Sequence, residues 1–303
     1  MPAILWVIVL QPVSQEGEDK AYMTSPSSLL KAWQIRPRKS MGQHFLADPN
    51  VAAMIVRHGD FQGHDVILEI GAGLGALTIP LAREAGHVLA IEPDSKIAAL
   101  LGNELLAAGV SNVTIIEEDI LRCDIRALTN GPASGRPVKV VGNLPYHISS
   151  QVLIYLISWR SYIDRAILMF QRELAERLLA RPGTKVYGRL SVLVRYCAEI
   201  DAIAQVDAPS FYPQPKVDST VVRTTFVDPP PFPAVDEGLF LQIVRAAFAK
   251  RRKTLRNALM RSALGLNEGQ VLGALHASGI DPRRRAETLS VPDFVALANL
   301  LKD

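Results

Sequence analysis

The sequence predicts an α/β fold: a mostly parallel sheet with a C-terminal antiparallel hairpin, followed by a small all-α domain. Three observations carry this expectation. From Val66 onward, short apolar runs alternate with amphipathic stretches, the pattern of strands and covering helices in a parallel sheet. Two β-branched runs, Ile200–Val206 and Thr220–Val227, are joined by a Pro-rich loop and suit a hairpin that closes the sheet. Beyond the stiff proline tract at residues 228–233, only helical periodicity remains.

Taken in order, strands are expected at Val66–Ile70, His87–Ile91, Val113–Glu117, Val138–Val141 and Ala166–Phe170. Between and after them, helices are expected at Ala76–Glu84, Ser95–Ala107, Ser149–Ser158, Gln171–Ala180 and Leu190–Cys197. The last domain reads as helices at Glu237–Met260, Glu268–Ala277 and Pro292–Leu300. This gives an α/β domain at residues 31–228 and a helical domain at 229–303. Residues 1–30 read as a disordered extension. Residues 1–22, upstream of Met23, are expected to be dispensable. The apolar run Ala3–Leu10 is shorter than the roughly 20 residues that cross a bilayer, and it lacks the basic flank of a signal peptide.

The 303 residues are 49% apolar and 21% charged, which excludes a disordered chain and a collagen. The net charge of +3 does not by itself announce a nucleic-acid partner. The two cysteines, Cys123 and Cys197, form no CxxC pair. That excludes a zinc ribbon or disulfide scaffold and suits a reducing compartment. A cytoplasmic protein is expected, with no membrane segment and no metal site.

The segment Glu69-Ile-Gly-Ala-Gly-Leu-Gly-Ala76 follows the first strand and opens a helix. Glycines there allow a tight turn and let a ligand approach the backbone closely. The segment fits a dinucleotide fingerprint, and it also fits a tight turn with no ligand. Glu92 lies 21 residues after Gly71, at the end of the second strand, where a carboxylate can accept from two ribose hydroxyls. It also fits a solvated strand-end charge, with Asp94 beside it as a helix cap. Asp119 and Asn143 are expected at the ends of the third and fourth strands, on the edge where open α/β sheets bind ligands.

Asn143-Leu-Pro-Tyr146 then supplies chemistry that a nicotinamide site does not need. Pro145 forces Leu144 into an extended conformation. The Asn143 oxygen and the Leu144 carbonyl can then act as paired acceptors beside the flat Tyr146 ring. Two acceptors and a stacking face suit the exocyclic amino group of a flipped base. The alternative is a proline turn with a core tyrosine.

EIGAGLGALT (69–78), the acid in IEPD (91–94) and NLPYHIS (143–149) resemble an S-adenosylmethionine-dependent methyltransferase acting on adenine amino groups. GQHFLADPN (42–50), YGRLSV (187–192), FYPQPKVDS (211–219) and FAKRRKTLRNAL (248–259) narrow the resemblance. Together they resemble the ribosomal RNA small-subunit adenine N6-dimethyltransferase family, the enzymes linked to kasugamycin sensitivity, over roughly Arg36 to Leu301. The resemblance implies a Rossmann-like methyltransferase fold for residues 31–228 and an RNA-binding role for 229–303. It implies cofactor contacts at His44, Leu46, Gly71, Gly73, Glu92, Asp119 and Asn143. It places the target adenine on Asn143, Leu144, Pro145 and Tyr146, with Phe211 on the other face, unless Phe211 is simply a core residue. The chain departs from the family at His44 and His147, where asparagine is usual.

RNA contacts are expected at Arg36, Arg38 and Lys39, and at Lys250, Arg251, Arg252, Lys253 and Arg256 in a first C-terminal helix. A solvated charged face is the bland alternative. Residues 229–303 carry 11 basic and 7 acidic side chains, more net positive charge than the whole chain. The expected partner is the small ribosomal subunit and its rRNA, met by a monomer. The rivals are an erythromycin-resistance type of large-subunit methyltransferase, a non-catalytic assembly factor and, more distantly, an NAD dehydrogenase.

Overall fold

Parallel pairing decides where the important side chains fall. In the computed structural model, which describes residues 25–133, 135–250 and 252–302, the strands are β1 (Phe45–Leu46), β2 (Val66–Ile70), β3 (His87–Ile91), β4 (Val113–Ile116), β5 (Val138–Asn143), β6 (Ile163–Gln171), β7 (Ala198–Val206), β8 (Phe211–Tyr212) and β9 (Ser219–Phe226). The first eight helices are α1 (Pro26–Ala32), α2 (Pro49–Gly59), α3 (Thr78–Glu84), α4 (Ser95–Ala107), α5 (Ile125–Thr129), α6 (Ser149–Ser158), α7 (Arg172–Leu179) and α8 (Arg189–Cys197). The last four are α9 (Glu237–Ala247), α10 (Leu255–Met260), α11 (Glu268–Ala277) and α12 (Val291–Leu300).

Seven strands form one sheet in the order β4-β3-β2-β5-β6-β9-β7. The first five are parallel, and β9 runs antiparallel to β6. The expected closing hairpin is therefore present. The order reverses between β2 and β5, which makes their C-terminal ends the switch point where such sheets open a crevice. Ile70 is in register with Ile91 on one side and Gly142 on the other. Gly71, Glu92 and Asn143 are the residues that follow, so they emerge side by side along one edge. β2 to β5 are built mostly from Val, Ile and Leu that are buried, as a covered parallel sheet requires.

By contacts the chain divides into two compact units. The first holds the described residues up to Arg172 together with Asp201–Thr225, and the second holds Glu173–Ile200 and the chain from Phe226 onward. The sequence expectation drew a single boundary at residue 228. Glu173–Ile200 joins the second unit because its buried face has partners there. The Tyr196 ring stacks on Phe240 at 4.4 Å, and the Tyr196 hydroxyl accepts from the Ala234 N–H. Fully buried Phe240, Val244, Leu255, Phe294 and Leu297 complete that core.

Two further expectations are corrected. Residues 26–30 are helical rather than disordered, because Ser25 caps α1, Pro26 opens it, and Leu29 and Leu30 bury against Phe45, Leu74, Ile97 and Leu100. The rest of the expected extension lies outside the described residues. The expected helix Glu237–Met260 is two helices: Phe248 ends α9, and the Thr254 side chain accepts from the Asn257 N–H to start α10. Lys250, Arg252 and Lys253 thus lie in the turn between them. Arg251 lies outside the described residues.

Gly142 tests the close pairing of β2 and β5. A Cβ there would stand 2.8 Å from the Ile70 carbonyl oxygen. Gly142→Ala is expected to destabilise the protein by about 1–3 kcal/mol, because backbone must move to admit the methyl. Urea unfolding of both proteins measures this, and an unchanged midpoint would show that the sheet gives way freely.

Candidate active site at the sheet switch point

A cleft of about 710 Å³, counting its part open to solvent, sits at the switch point. Its walls are the segment Met41–Leu46, the glycine loop, Glu92 with Pro93, and Asn143 to Tyr146. Of the expected cofactor residues, His44, Leu46, Gly71, Gly73, Glu92 and Asn143 all line it; so do Leu144, Pro145 and Tyr146. Asp119 and Phe211 do not. β4 ends at Ile116, so Asp119 stands beyond the strand, where its Oδ1 accepts from Leu121 N–H and caps a short turn. Phe211 is 3% exposed and packs in the core beside its ladder partner Leu46.

The glycine loop is fastened to protein acceptors. The N–H groups of Gly71 and Ala72 donate to the Ile91 carbonyl, and the Gly73 N–H donates to Glu92 Oε2 at 3.0 Å. Glu92 Oε1 accepts from the Asp94 N–H at 3.0 Å. Gly71 and Gly73 have φ of +75° and +56°. A Cβ on Gly71 would stand 3.1 Å from the Asn143 carbonyl oxygen, and one on Gly73 3.1 Å from the Phe45 ring. Glycine is thus required by conformation and by close approach. A pyrophosphate cradle needs such amides free to face an anion. Here those of residues 71–73 are already committed.

The electrostatics agree. Glu92 is 6% exposed. Burial pushes its carboxyl up to about 7 against the pull of the Asp94 and Gly73 amides, and the Asp94 charge adds to the rise. Glu69, at the start of the glycine motif, is a second buried acid at the cleft. It is 1% exposed, lines the cleft, and is pushed by burial up to about 8. The nearby Thr78 hydroxyl opposes that rise and the Glu92 charge adds to it, although neither Thr78 Oγ1 nor Glu69 Oε2 has a hydrogen-bond partner among the described residues. Two buried carboxyls beside one loop repel an anion and favour a cation. Asp94 caps α4, accepting from Lys96 N–H, and its other oxygen accepts from Gln43 Nε2 at 3.2 Å. Asp94 is therefore the helix cap that the sequence suggests beside Glu92.

The Asn143 amide is oriented. Its Nδ2 donates to the His44 carbonyl at 2.8 Å. A carbonyl can only accept, so the nitrogen must face it and Oδ1 faces away as the side-chain acceptor. The Leu144 side chain is 1% exposed, which leaves its part to the backbone. Tyr146 is half-buried, and its hydroxyl meets Ser219 Oγ at 2.9 Å. His147 packs on Gly42, whose φ is +61°.

The expected RNA contacts divide. Arg36, Lys39, Lys250, Arg252 and Lys253 are exposed. Arg38 is exposed but reaches Asp94 Oδ2 at 3.5 Å. Arg256 is half-buried and paired with Glu268, so its guanidinium is committed within the helical unit.

A doubly covered parallel sheet, a glycine loop tied to an acid on the next strand and an Asn-Leu-Pro-Tyr turn define a Rossmann-like methyltransferase acting on an amino nitrogen. The model of the ribosomal RNA adenine dimethylase family matches residues 35–303. The chain is 45% identical to a ribosomal RNA small subunit methyltransferase A of Desulforapulum autotrophicum, over 92% of this chain and 97% of that one. It is 42% identical to the protein of that name from Moorella thermoacetica, over 91% and 96%. Among solved structures, a dimethyladenosine transferase from Plasmodium falciparum superposes with a TM-score of 0.72 at 27% identity, covering 84% of this chain and 96% of that one. The 23S rRNA methyltransferase ErmE superposes with a TM-score of 0.64 at 25% identity, covering 86% and 100%. The chain belongs to the ribosomal RNA adenine dimethylase family, and its cofactor is S-adenosylmethionine.

The residues present fit that cofactor. An adjacent diol suits Glu92, whose oxygens each keep a lone pair beyond the amide they accept. A cationic end suits the electronegative floor. The raised carboxyls also give a stability signature. Glu69 titrates at about 8 when folded, against the usual 4.5. The folded state therefore holds its proton more tightly, and this contribution to stability is full below the lower value and lost as pH rises through the upper one. Between roughly pH 5 and 8, the melting temperature of the ligand-free protein should fall less steeply in Glu69→Gln than in the wild type. Parallel profiles would remove Glu69 from the list of buried protonated groups.

Proposed function

We propose that the protein transfers methyl groups from S-adenosylmethionine to N6 of two adjacent adenines in small-subunit (16S) rRNA, giving N6,N6-dimethyladenosines during small-subunit biogenesis. The observation that carries this reading is the shared row of Glu92 and Asn143: a nucleoside-binding carboxylate and an oriented amide acceptor one strand apart on each side of the glycine loop. The cofactor supplies an electrophilic methyl group. Asn143 Oδ1 and the Leu144 carbonyl accept the two N–H bonds of the adenine amino group. They thereby pull its nitrogen from planar toward tetrahedral and turn the lone pair to the methyl donor. Tyr146 stacks on the base. Positioning and electrostatics do the work, and no strong base is needed, because the methylated nitrogen is acidic enough to lose its proton to water.

Phe211, buried behind Leu46, supports the base wall from the core. Asp119 reaches the cofactor's adenine end from the loop after β4. The substrate is a ribosomal subunit, so the reaction belongs in the cytoplasm. All proposed contacts come from one chain, which suits a monomer. The exposed Lys250, Arg252 and Lys253, and the exposed Arg36, Arg38 and Lys39, face phosphate, each group on its own unit. The large-subunit reading draws on ErmE, at lower identity than the small-subunit relatives.

Labelled S-adenosylmethionine, offered to small and large subunits from cells lacking the modification and followed by nucleoside analysis, decides between them. Dimethyladenosine in the small subunit alone is expected; label in the large subunit alone would overturn the assignment. Asn143→Ala should lower transfer by about a thousandfold or more while the fold survives, since an oriented polar contact at the reacting atom is lost. Wild-type turnover in that variant would remove Asn143 from the chemistry. Replacing Lys250, Arg252 and Lys253 by glutamine should weaken subunit binding and flatten its salt dependence by roughly 0.7–0.9 logarithmic slope units per lost phosphate contact. An unchanged slope would mean that the turn is merely a solvated face.

A further inference from the structure

His44 lines the cleft, and its ring is held by contacts on two sides. Its Nδ1 lies 2.6 Å from the Pro213 carbonyl oxygen. A carbonyl only accepts, so Nδ1 carries a proton and donates it to the Pro213 oxygen. The imidazole stacks on Tyr146, with ring centres 5.5 Å apart and planes 27° apart. Its main-chain carbonyl holds the Asn143 amide. One residue therefore touches the amide acceptor, the stacking ring, and the loop that carries Phe211 and Tyr212.

The stack supplies something the other contacts cannot. The Tyr146 hydroxyl oxygen, which sits on the axis about which the phenol ring turns, is held by Ser219 Oγ. That bond fixes where the tip of the ring lies, while the torsion that turns the ring plane is intrinsically broad. A ring laid on one face fixes the plane. No second ring stacks on Tyr146 among the described residues, and Tyr146 lines the cleft. The brace on Pro213 in turn fixes the imidazole.

We propose that His44 is a positioning residue for the target adenine: its ring, braced on the Pro213 carbonyl, sets the plane of Tyr146 against which the base stacks. This rests on the methyltransferase reading above. It differs from a cofactor-contact role in a measurable way. A contact to the cofactor changes affinity, whereas a set base plane changes the rate once the cofactor is saturating.

The experiment measures single-turnover methyl transfer to unmodified small subunits at saturating S-adenosylmethionine. It also measures S-adenosylhomocysteine affinity by calorimetry and the melting temperature, for full-length wild type, His44→Ala, His44→Phe and His44→Asn. His44→Ala should lose about tenfold in saturating rate with affinity within about twofold. His44→Phe keeps a ring and should recover to within about threefold, while His44→Asn keeps a donor without a ring and should recover less. The proposal is overturned if His44→Ala weakens affinity at unchanged saturating rate, or if His44→Asn restores the rate fully and His44→Phe does not. Should His44→Ala fail to fold, the comparison of the phenylalanine and asparagine variants still decides. A wild type that transfers nothing to small subunits overturns the functional reading itself, an outcome distinct from these.

Discussion

The bond from the Gly73 amide to the Glu92 carboxylate sets the character of the whole site. It turns the glycine loop toward a protein acid rather than toward an external anion. With Glu69 buried on the same strand that enters the loop, it creates a pocket whose fixed groups are carboxyls. A pyrophosphate would meet committed amides and negative charge. A nucleoside with a cationic tail would meet acceptors for its diol and compensation for its charge. The same glycine-rich sequence can open either kind of site, and the partner chosen by its amides decides which.

Sheet register carries this chemistry to the base. Ile70, Ile91 and Gly142 align across three neighbouring strands, so Gly71, Glu92 and Asn143 leave the sheet together. Gly71 then lets the Asn143 backbone approach closely, with no room for a side chain between them. The proposed cofactor half and base half of the site thus share one backbone feature. The Met41–Leu46 segment closes it: the His44 carbonyl fixes the Asn143 amide, and Leu46 pairs with the Phe211 strand.

Much of this was readable from residues because the deciding signals are local. His87–Ile91, Ser95–Ala107, Ser149–Ser158 and Glu268–Ala277 form where apolar period and cap residues place them. The Gly71, Glu92 and Asn143 row follows from strand ends. What escaped depends on contacts distant in sequence. The ladder of β1 with β8 is two residues long and has no period to detect. The grouping of Glu173–Ile200 with the C-terminal helices needs Tyr196 to find Phe240. Glu69 reads as the edge of a glycine motif because nothing local reveals that its carboxyl is buried, with Oε2 lacking a partner among the described residues. The break at Phe248–Lys253 did carry a signal, Thr254 as a cap, which an uninterrupted basic run obscured. Phe211 and Asp119 lie outside the cleft lining, the first buried in the core and the second capping a turn, so their proposed parts rest on the motif rather than on local geometry.

If buried carboxyls receive a cation, cofactor binding must move protons. Near neutral pH, Glu69 and Glu92 are partly protonated in the empty cleft, and an arriving positive charge favours their ionised forms. Calorimetric titration of the full chain with S-adenosylmethionine, in two buffers of different ionisation enthalpy at the same pH, reads this directly. The observed heat should differ between the buffers in the sense of proton release. Equal heats in both, with binding intact, would contradict a cleft built on protonated buried carboxyls.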